Sequence, residues 1–533
     1  MKRFVFAALA CCAMATGAAR AAEPAAESAP TGSTPASAAD IEALRQQVQA
    51  LTATVQTLQQ QVKDQQAAME KNNSTAPALP ESQETQSVDV STPPGPAPAA
   101  PPLFPTTDSS VVTSAPAVNA NGIATGAFPT TDATVTNTST VSSSETDSPL
   151  TQPISLTGGG NKSYLNISFD SVFALAASSA PDLYHIEVGD HDPQQRGFNA
   201  RNAEISLDGA VDPYFEGFAN IVLKLDNNNE TEIELEEAFL QTTSLPFGLQ
   251  VKGGQFFAPF GRINATHPHT WDFADSPLVN GRLLGPDGLR GVGAQISWTI
   301  PVSWYSQLLF AVQNGRGETG YSFRNPGDDG VFYGRMTIDR EQTALRDFVF
   351  APRWENSFNL SDTQTILVGV SGAFGSNDTG PHSDTQIYGG DLLYKWKSAR
   401  AEGGFPFVKW QTEAMYRRFE AGRGLDDSFP VAETFDDWGM YSQLLWGFKK
   451  GWVVGLRGDY LHMEDSLFTD DITRQSRSRI SADLTWYPTE FSKLRLQYNH
   501  DFLEENEFLA ARDVDSIFFQ FEFILGAHGA HKF

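Results

Sequence analysis

Ile517-Phe518-Phe519-Gln520-Phe521-Glu522-Phe523-Ile524-Leu525 decides the fold. Ile517, Phe519, Phe521, Phe523 and Leu525 are apolar at every second position, with Gln520 and Glu522 between them. A period of two is a strand with one apolar and one wetter face. An apolar face against lipid and a wet face toward a lumen is the chemistry of a transmembrane β-barrel strand. A closing strand of a soluble sandwich has the same pattern, so the remaining chain has to discriminate.

From Lys162 onward the alternation recurs. Leu165, Ile167 and Phe169 oppose Asn166, Ser168 and Asp170; Ala203, Ile205 and Leu207 oppose Asn202, Glu204 and Ser206; Ile480, Ala482 and Leu484 oppose Arg479, Ser481 and Asp483. About sixteen such strands are predicted, in the even-numbered layout of outer-membrane barrels. Short turns (Asp212 to Tyr214, Ser244 to Gly248, Pro301-Val302, Asn359 to Asp362, Lys449 to Gly451, Pro488 to Ser492) interleave with longer connections, mostly one for one. The longer ones are 176–198, 259–289, 315–346, 375–384, 421–435, 465–475 and 503–512. A sandwich has no reason to keep that parity. Trp298, Trp304, Trp446, Trp452, Trp486, Tyr487 and Phe491 stand beside short turns, as an interfacial girdle would. The predicted fold class is all-β, a sixteen-stranded antiparallel transmembrane β-barrel.

Ahead of it, Lys2-Arg3, the apolar Phe4 to Ala15 and Ala19-Arg20-Ala21 read as a signal peptide over 1–21. Both cysteines, Cys11 and Cys12, fall inside it, which leaves no thiol in the exported chain. Residues 22–39 read as disordered. Over 40–71, Ile41, Val48, Val55, Val62 and Met69 hold one seam position and Leu44, Leu51, Leu58 and Gln65 the other. That spacing predicts a short coiled-coil helix and self-association. Residues 72–161 are rich in Pro, Ser and Thr and lack Lys and Arg, a composition that reads as a disordered linker with an end-to-end distance of roughly 50 Å. The net charge of −27 argues against nucleic acid as a partner.

Arg201-Asn202-Ala203-Glu204-Ile205-Ser206-Leu207, Glu236-Glu237-Ala238-Phe239-Leu240 and Gly254-Gln255-Phe256-Phe257-Ala258-Pro259-Phe260-Gly261 resemble the phosphate-selective porin O/P family. Gly291 to Gln295 and the ending Leu525 to Phe533 fit it too, so the resemblance covers 162–533. It implies a homotrimeric outer-membrane porin whose third outer loop, here 259–289, folds inward and narrows the pore. The helix ahead of the barrel resembles that of members with a periplasmic coiled coil. The terminal Phe533 resembles the signal read by the barrel-assembly machinery. Phosphate itself does not carry over, because from Lys162 onward there are 31 basic against 51 acidic residues.

On this reading the constriction is drawn from His267, His269, Asp272, Asp275, Arg282 and Asp287, and the pore wall from Lys409, Arg417, Arg457, Arg479 and Arg495. The wall cations alternate with Glu413, Asp459, Asp483 and Asp501. Interleaved charges pair across strands; a transverse field between basic wall and acidic loop is the competing reading. His267-Pro268-His269 with Asp272 and Asp275 is a weak metal candidate, outweighed by a plain polar loop; His528 and His531 are weaker. No cofactor is expected. No nucleophile-elbow signature is present, so no enzyme is expected. The expected function is passive diffusion of small hydrophilic or anionic solutes across the outer membrane, with membrane lipid as the barrel's surroundings. The alternatives are a structural or adhesive barrel and a metal-ion-related channel using loop 267–275.

If Phe533 completes an assembly signal, deleting it lowers the amount of heat-modifiable barrel in outer-membrane fractions. Unchanged levels would count against that role.

Overall fold

A computed structural model describes residues 154–155 and 164–526, except 211, 227, 328–329, 339–341, 423–431, 466–470 and 506–509. The coiled coil at 40–71 and the histidines and Phe533 of the ending lie outside the described residues.

Sixteen long strands form the barrel, labelled here in chain order: β1 Tyr164–Ser178, β2 Gly197–Ala210, β3 Phe215–Leu225, β4 Thr231–Thr242, β5 Leu249–Phe257, β6 Arg290–Thr299, β7 Tyr305–Gln313, β8 Val349–Ser361, β9 Gln364–Ser376, β10 Asp384–Glu402, β11 Phe405–Ala421, β12 Glu433–Lys449, β13 Trp452–His462, β14 Arg477–Thr489, β15 Ser492–Leu503 and β16 Arg512–Gly526. Each pairs antiparallel with its sequence neighbour, and β16 returns to β1 from Ser516↔Ser178 to Gly526↔Ser168. No edge of this sheet is left open, which is the condition for a β-structure to sit in lipid. A two-residue strand, Ile154–Ser155, pairs with the start of β1, inside the stretch predicted to be linker.

The burial is inverted relative to a water-soluble protein. On β16, Ile517, Phe519, Phe521 and Leu525 point outward, 39–58 % exposed, whereas Gln520 and Glu522 point inward at 6 and 0 %. The same holds around the wall: Leu456, Ile480, Leu484 and Leu496 face out, and Arg457, Arg479, Asp483 and Gln497 face in. Outward apolar side chains need a lipid surround, and this assigns the fold class as a transmembrane barrel.

Both ends of the wall, the start of β1 and the end of β16, lie at the rim of the short turns. Two connections differ from the predicted set. Gly403 and Gly404, both with positive φ, turn β10 into β11. A five-residue loop, 226–230, joins β3 to β4 on the opposite rim. With that loop included, 258–289 is the third long connection. Trp298, Trp304, Trp446 and Trp486 are exposed beside the short turns, and Trp452 stacks on Trp486 with centroids 5.6 Å apart. Tyr487 departs from the expected girdle. It turns inward and packs by Phe273, Phe405, Leu445 and Val453.

Phe519 sits mid-strand between Leu496 and Leu175 on the lipid face. Phe519→Arg should destabilise the barrel by about 2–4 kcal/mol in phospholipid vesicles, the cost of a cation near the bilayer midplane. Urea unfolding measures this; a loss under about 1 kcal/mol would place Phe519 outside the hydrocarbon.

Candidate functional site: the loop inside the barrel

Loop 258–289 leaves β5 at Pro259-Phe260-Gly261 and enters the lumen. Gly261 is in the left-handed region (φ 60°), and a Cβ there would collide with the Glu413 carboxylate. Both facts demand glycine at this corner. The Ile263 amide then donates to Glu413 Oε1 at 3.0 Å, which fastens the entry to β11. Farther on, helix α1 (Leu278–Leu283) buries Leu278, Val279 and Leu283 in an apolar cluster with Phe256, Phe260, Met415, Tyr441 and Leu461. Loop 258–289 is therefore held by a small hydrophobic core of its own within a polar wall.

Its aspartates meet the basic arc of the wall, β11 to β15. Asp272 pairs with Lys409 at 2.9 Å and accepts from Gln443 at 2.6 Å. Asp275 pairs with Arg457 at 2.7 Å and with Arg479, and accepts from Asn499 at 3.2 Å. Burial alone would raise the Asp275 pKa, but the Arg457 and Arg479 guanidiniums outweigh it and hold the carboxyl below its ordinary range. Lys493 and Arg495 donate to the His269 and Trp271 carbonyls at 2.7 and 2.8 Å. Arg417 donates to the Arg282 carbonyl at 3.3 Å and pairs with Asp437 at 2.5 Å.

The loop's histidines meet an acidic arc, β1 to β4. His267 Nδ1 lies 2.7 Å from Glu236 and 3.6 Å from Glu204, and its Nε2 lies 3.2 Å from Glu237. His269 Nδ1 lies 3.2 Å from Glu204 and 3.6 Å from Asp170. Consecutive residues of a strand face opposite ways, yet Glu236 and Glu237 are both buried. The register explains it: Asn220 pairs with Glu237 and Ile221 with Leu235, so Glu236 is the extra residue of a β-bulge. Burial opposes charge on His269, but Asp170 and Glu204 carry its pKa up to about 10. His267 is raised well above its ordinary value against the same burial, by Glu236 and Glu204.

The six predicted constriction residues thus share a loop but not a ring. His267 and His269 face the acidic arc, and Asp272 and Asp275 the basic arc. The Arg282 guanidinium donates to the His185 carbonyl at 3.5 Å. Asp287 closes the loop's far end against Arg290 and His191. The five predicted wall cations all point inward, and four also pair with wall carboxylates or the loop's own aspartates: Arg417–Asp437, Arg457–Asp459 at 2.8 Å, Arg479–Asp501 at 2.8 Å and Lys409–Asp272. Arg495 relies on Gln520, Thr485 and the Trp271 carbonyl, with Asp483 at 3.9 Å. The sequence reading missed the acidic arc as a set, although the Arg201 to Leu207 and Glu236 to Leu240 blocks contain three of its members. It located the long connection at 176–198 but not its reach into the lumen, where Glu187 pairs with Arg479 at 2.8 Å.

This geometry defines the class: a closed barrel whose charged lumen is crossed by an inserted loop. Over 371 residues, 66 % of the chain, it is 33 % identical to an uncharacterized protein of Aquifex aeolicus (strain VF5), covering 74 % of that protein. The chain belongs to the same family as that protein. No protein-family model matches it. Among solved structures it is similar to an anion-selective porin from Comamonas acidovorans (9 % identity, TM-score 0.44, 68 % of this chain and 100 % of that one). It is also similar to the outer membrane channel DcaP of Acinetobacter baumannii (10 % identity, TM-score 0.45, 69 % and 98 %).

Asp275→Asn removes the charge shared by Arg457 and Arg479. Breaking a buried pair costs about 3–5 kcal/mol, and the low end applies because each arginine keeps another carboxylate. Hydrogen exchange of amides 274–284 should speed up roughly a hundredfold. The depressed Asp275 pKa sets the sign with pH. Its stabilisation is complete above the unfolded carboxylate pKa of about 3.9 and is lost as pH falls through the lower folded value. Protection of 274–284 should therefore persist at pH 4 to 5 in the parent chain. Loss of protection already at pH 5 would contradict the clamp.

Proposed function

We propose that the chain is an outer-membrane channel for passive diffusion of small hydrophilic or anionic solutes, with loop 258–289 as its constriction. The observation that carries this reading is a charged loop spanning the lumen, its histidines against Asp170, Glu204, Glu236 and Glu237 and its aspartates against Lys409, Arg457 and Arg479. Fixed charges of both signs at a narrow, water-poor point act on a permeating ion with little screening. The reading involves no chemical step and no cofactor. It keeps the kinship with the phosphate-selective porin O/P family suggested by the motifs, without phosphate as the assigned solute. Trimeric assembly, a periplasmic coiled coil at 40–71 and delivery by the barrel-assembly machinery belong to the same proposal.

One observation favours a second reading, a structural barrel with a closed lumen. At the level of the loop the wall charges are almost wholly buried: Arg479, Asp501 and Glu522 are all at 0 %. Planar-bilayer recording separates the two. A channel gives stable single-channel steps, and a closed barrel gives none. Shortening the loop between Thr266 and Leu283 should raise the conductance. Asp272→Asn with Asp275→Asn should leave Lys409, Arg457 and Arg479 in excess and move the reversal potential in a KCl gradient toward anions. If neither change alters conductance or reversal potential, the constriction is elsewhere.

A further inference from the structure

We propose that Asp170, Glu204, Glu236, His267 and His269 form a divalent-cation site of the Zn²⁺ type inside the barrel, built jointly by three wall strands and the inserted loop. Two sets of donors share Glu204: Asp170, Glu204 and His269, and Glu204, Glu236 and His267, each with its ligand atoms within 4.8 Å of one another. Imidazole nitrogen and carboxylate oxygen bind Zn²⁺ at about 2.0–2.2 Å, which puts neighbouring ligand atoms of a tetrahedral site roughly 3.4 Å apart. The His269–Glu204, His269–Asp170 and His267–Glu204 separations are 3.2, 3.6 and 3.6 Å. These three pairs stand near coordinating distance before any ion is added, and His267 and Glu236, at 2.7 Å, would part by several tenths of an ångström to share one.

Asp170 points independently to a cation. It is fully buried, yet neither carboxylate oxygen accepts a hydrogen bond, and Oδ1 is directed at His269. Buried carboxylates are ordinarily satisfied by donors or by metal. The charge balance agrees. Asp170, Glu204, Glu236 and Glu237 exceed the two histidines by two charges even if both imidazoles are protonated. The neighbouring cations are engaged elsewhere: Lys493 with Glu522 at 2.6 Å, Arg290 with Asp287 and Glu234, and Lys224 with Asp190. A cavity of about 30 Å³ adjoins Glu236, lined also by His191, Asn264 and Thr266, and has room for a water beside that carboxylate. These carboxylates are not the Asp272 and Asp275 adjacent in sequence, which are committed to Lys409, Arg457 and Arg479. The site would tie the loop to β1, β2 and β4 as the aspartate clamp ties it to β11, β13 and β14, whatever passes through the barrel.

The test uses the full chain with His528→Gln and His531→Gln, which remove the other histidine pair. After chelator treatment, Zn²⁺ is titrated by calorimetry and the retained metal is counted. One or two Zn²⁺ per chain are expected, with Asp170→Asn and His269→Gln each weakening binding at least tenfold, as loss of a ligand should exceed loss of an orienting partner. Heat-modifiable mobility checks that the variants are folded. Should they fail to fold, hydrogen exchange in the otherwise intact chain gives the answer, because Zn²⁺ at the site slows exchange over 265–271. Retention below a tenth of an equivalent, binding undiminished in both folded variants, or unchanged exchange over 265–271 overturns the proposal and leaves the histidines as charge anchors only.

Discussion

A charge held away from water needs a partner, and the interior of this barrel is lined with charges. That constraint organises the whole molecule. Arg457, Arg479, Arg495 and Lys493 point inward from β13 to β15 because their strand neighbours Leu456, Ile480, Leu494 and Leu496 must face lipid. With a lumen filled only by bulk water they would be solvated. With a loop inside, each has to be matched. Loop 258–289 supplies Asp275 to Arg457 and Arg479, Asp272 to Lys409, and backbone carbonyls to Lys493 and Arg495. The charge sequence of the loop follows that of the wall it crosses, histidines against the acidic arc and aspartates against the basic one.

The two faces of the wall are stabilised by different physics. Outside, Phe, Trp, Leu and Ile meet lipid, and the closed antiparallel ladder satisfies the backbone with no edge to protect. Inside, buried ion pairs contribute little net stability compared with well-packed apolar groups, so α1 and its apolar cluster are needed to seat the loop. The pairs then fix where the loop lies. Specificity of placement comes from charge, and affinity for the interior comes from Leu278, Val279, Leu283 and Phe260.

This division explains what could be read from sequence. Alternation is local, so strands such as Ile517 to Leu525 were legible residue by residue, and turn chemistry located most connections. The hairpin at Gly403-Gly404 was missed because β10 ends in Lys397-Ser398-Ala399-Arg400-Ala401-Glu402, which has no large apolar side chain to mark an outward face. Loop 226–230 was too short to stand out. The inward loop was anticipated only through the family resemblance that Gly254 to Gly261 helps to carry, and its partners were not: Asp275 and Arg479 are 204 residues apart in sequence. The bulge at Glu236 was illegible for another reason. Two adjacent glutamates signal solvent in a regular strand, and only the register with β3 shows that both turn inward.

A loop tethered at both arcs is a crossbar rather than a flap. A flap hinges at its two ends and swings free when one contact breaks. Here, loosening Asp275 leaves the α1 cluster, the Ile263–Glu413 bond and the histidines in place, and loosening the histidines leaves the aspartate clamp. Motion large enough to clear the lumen would have to break several buried contacts together, each leaving an uncompensated charge or an exposed apolar side chain. The proposed constriction would therefore act by its fixed size and charge. Connection 179–196 is seated in the same way, with Leu183 and Ile186 in an apolar cluster and Glu187 against Arg479.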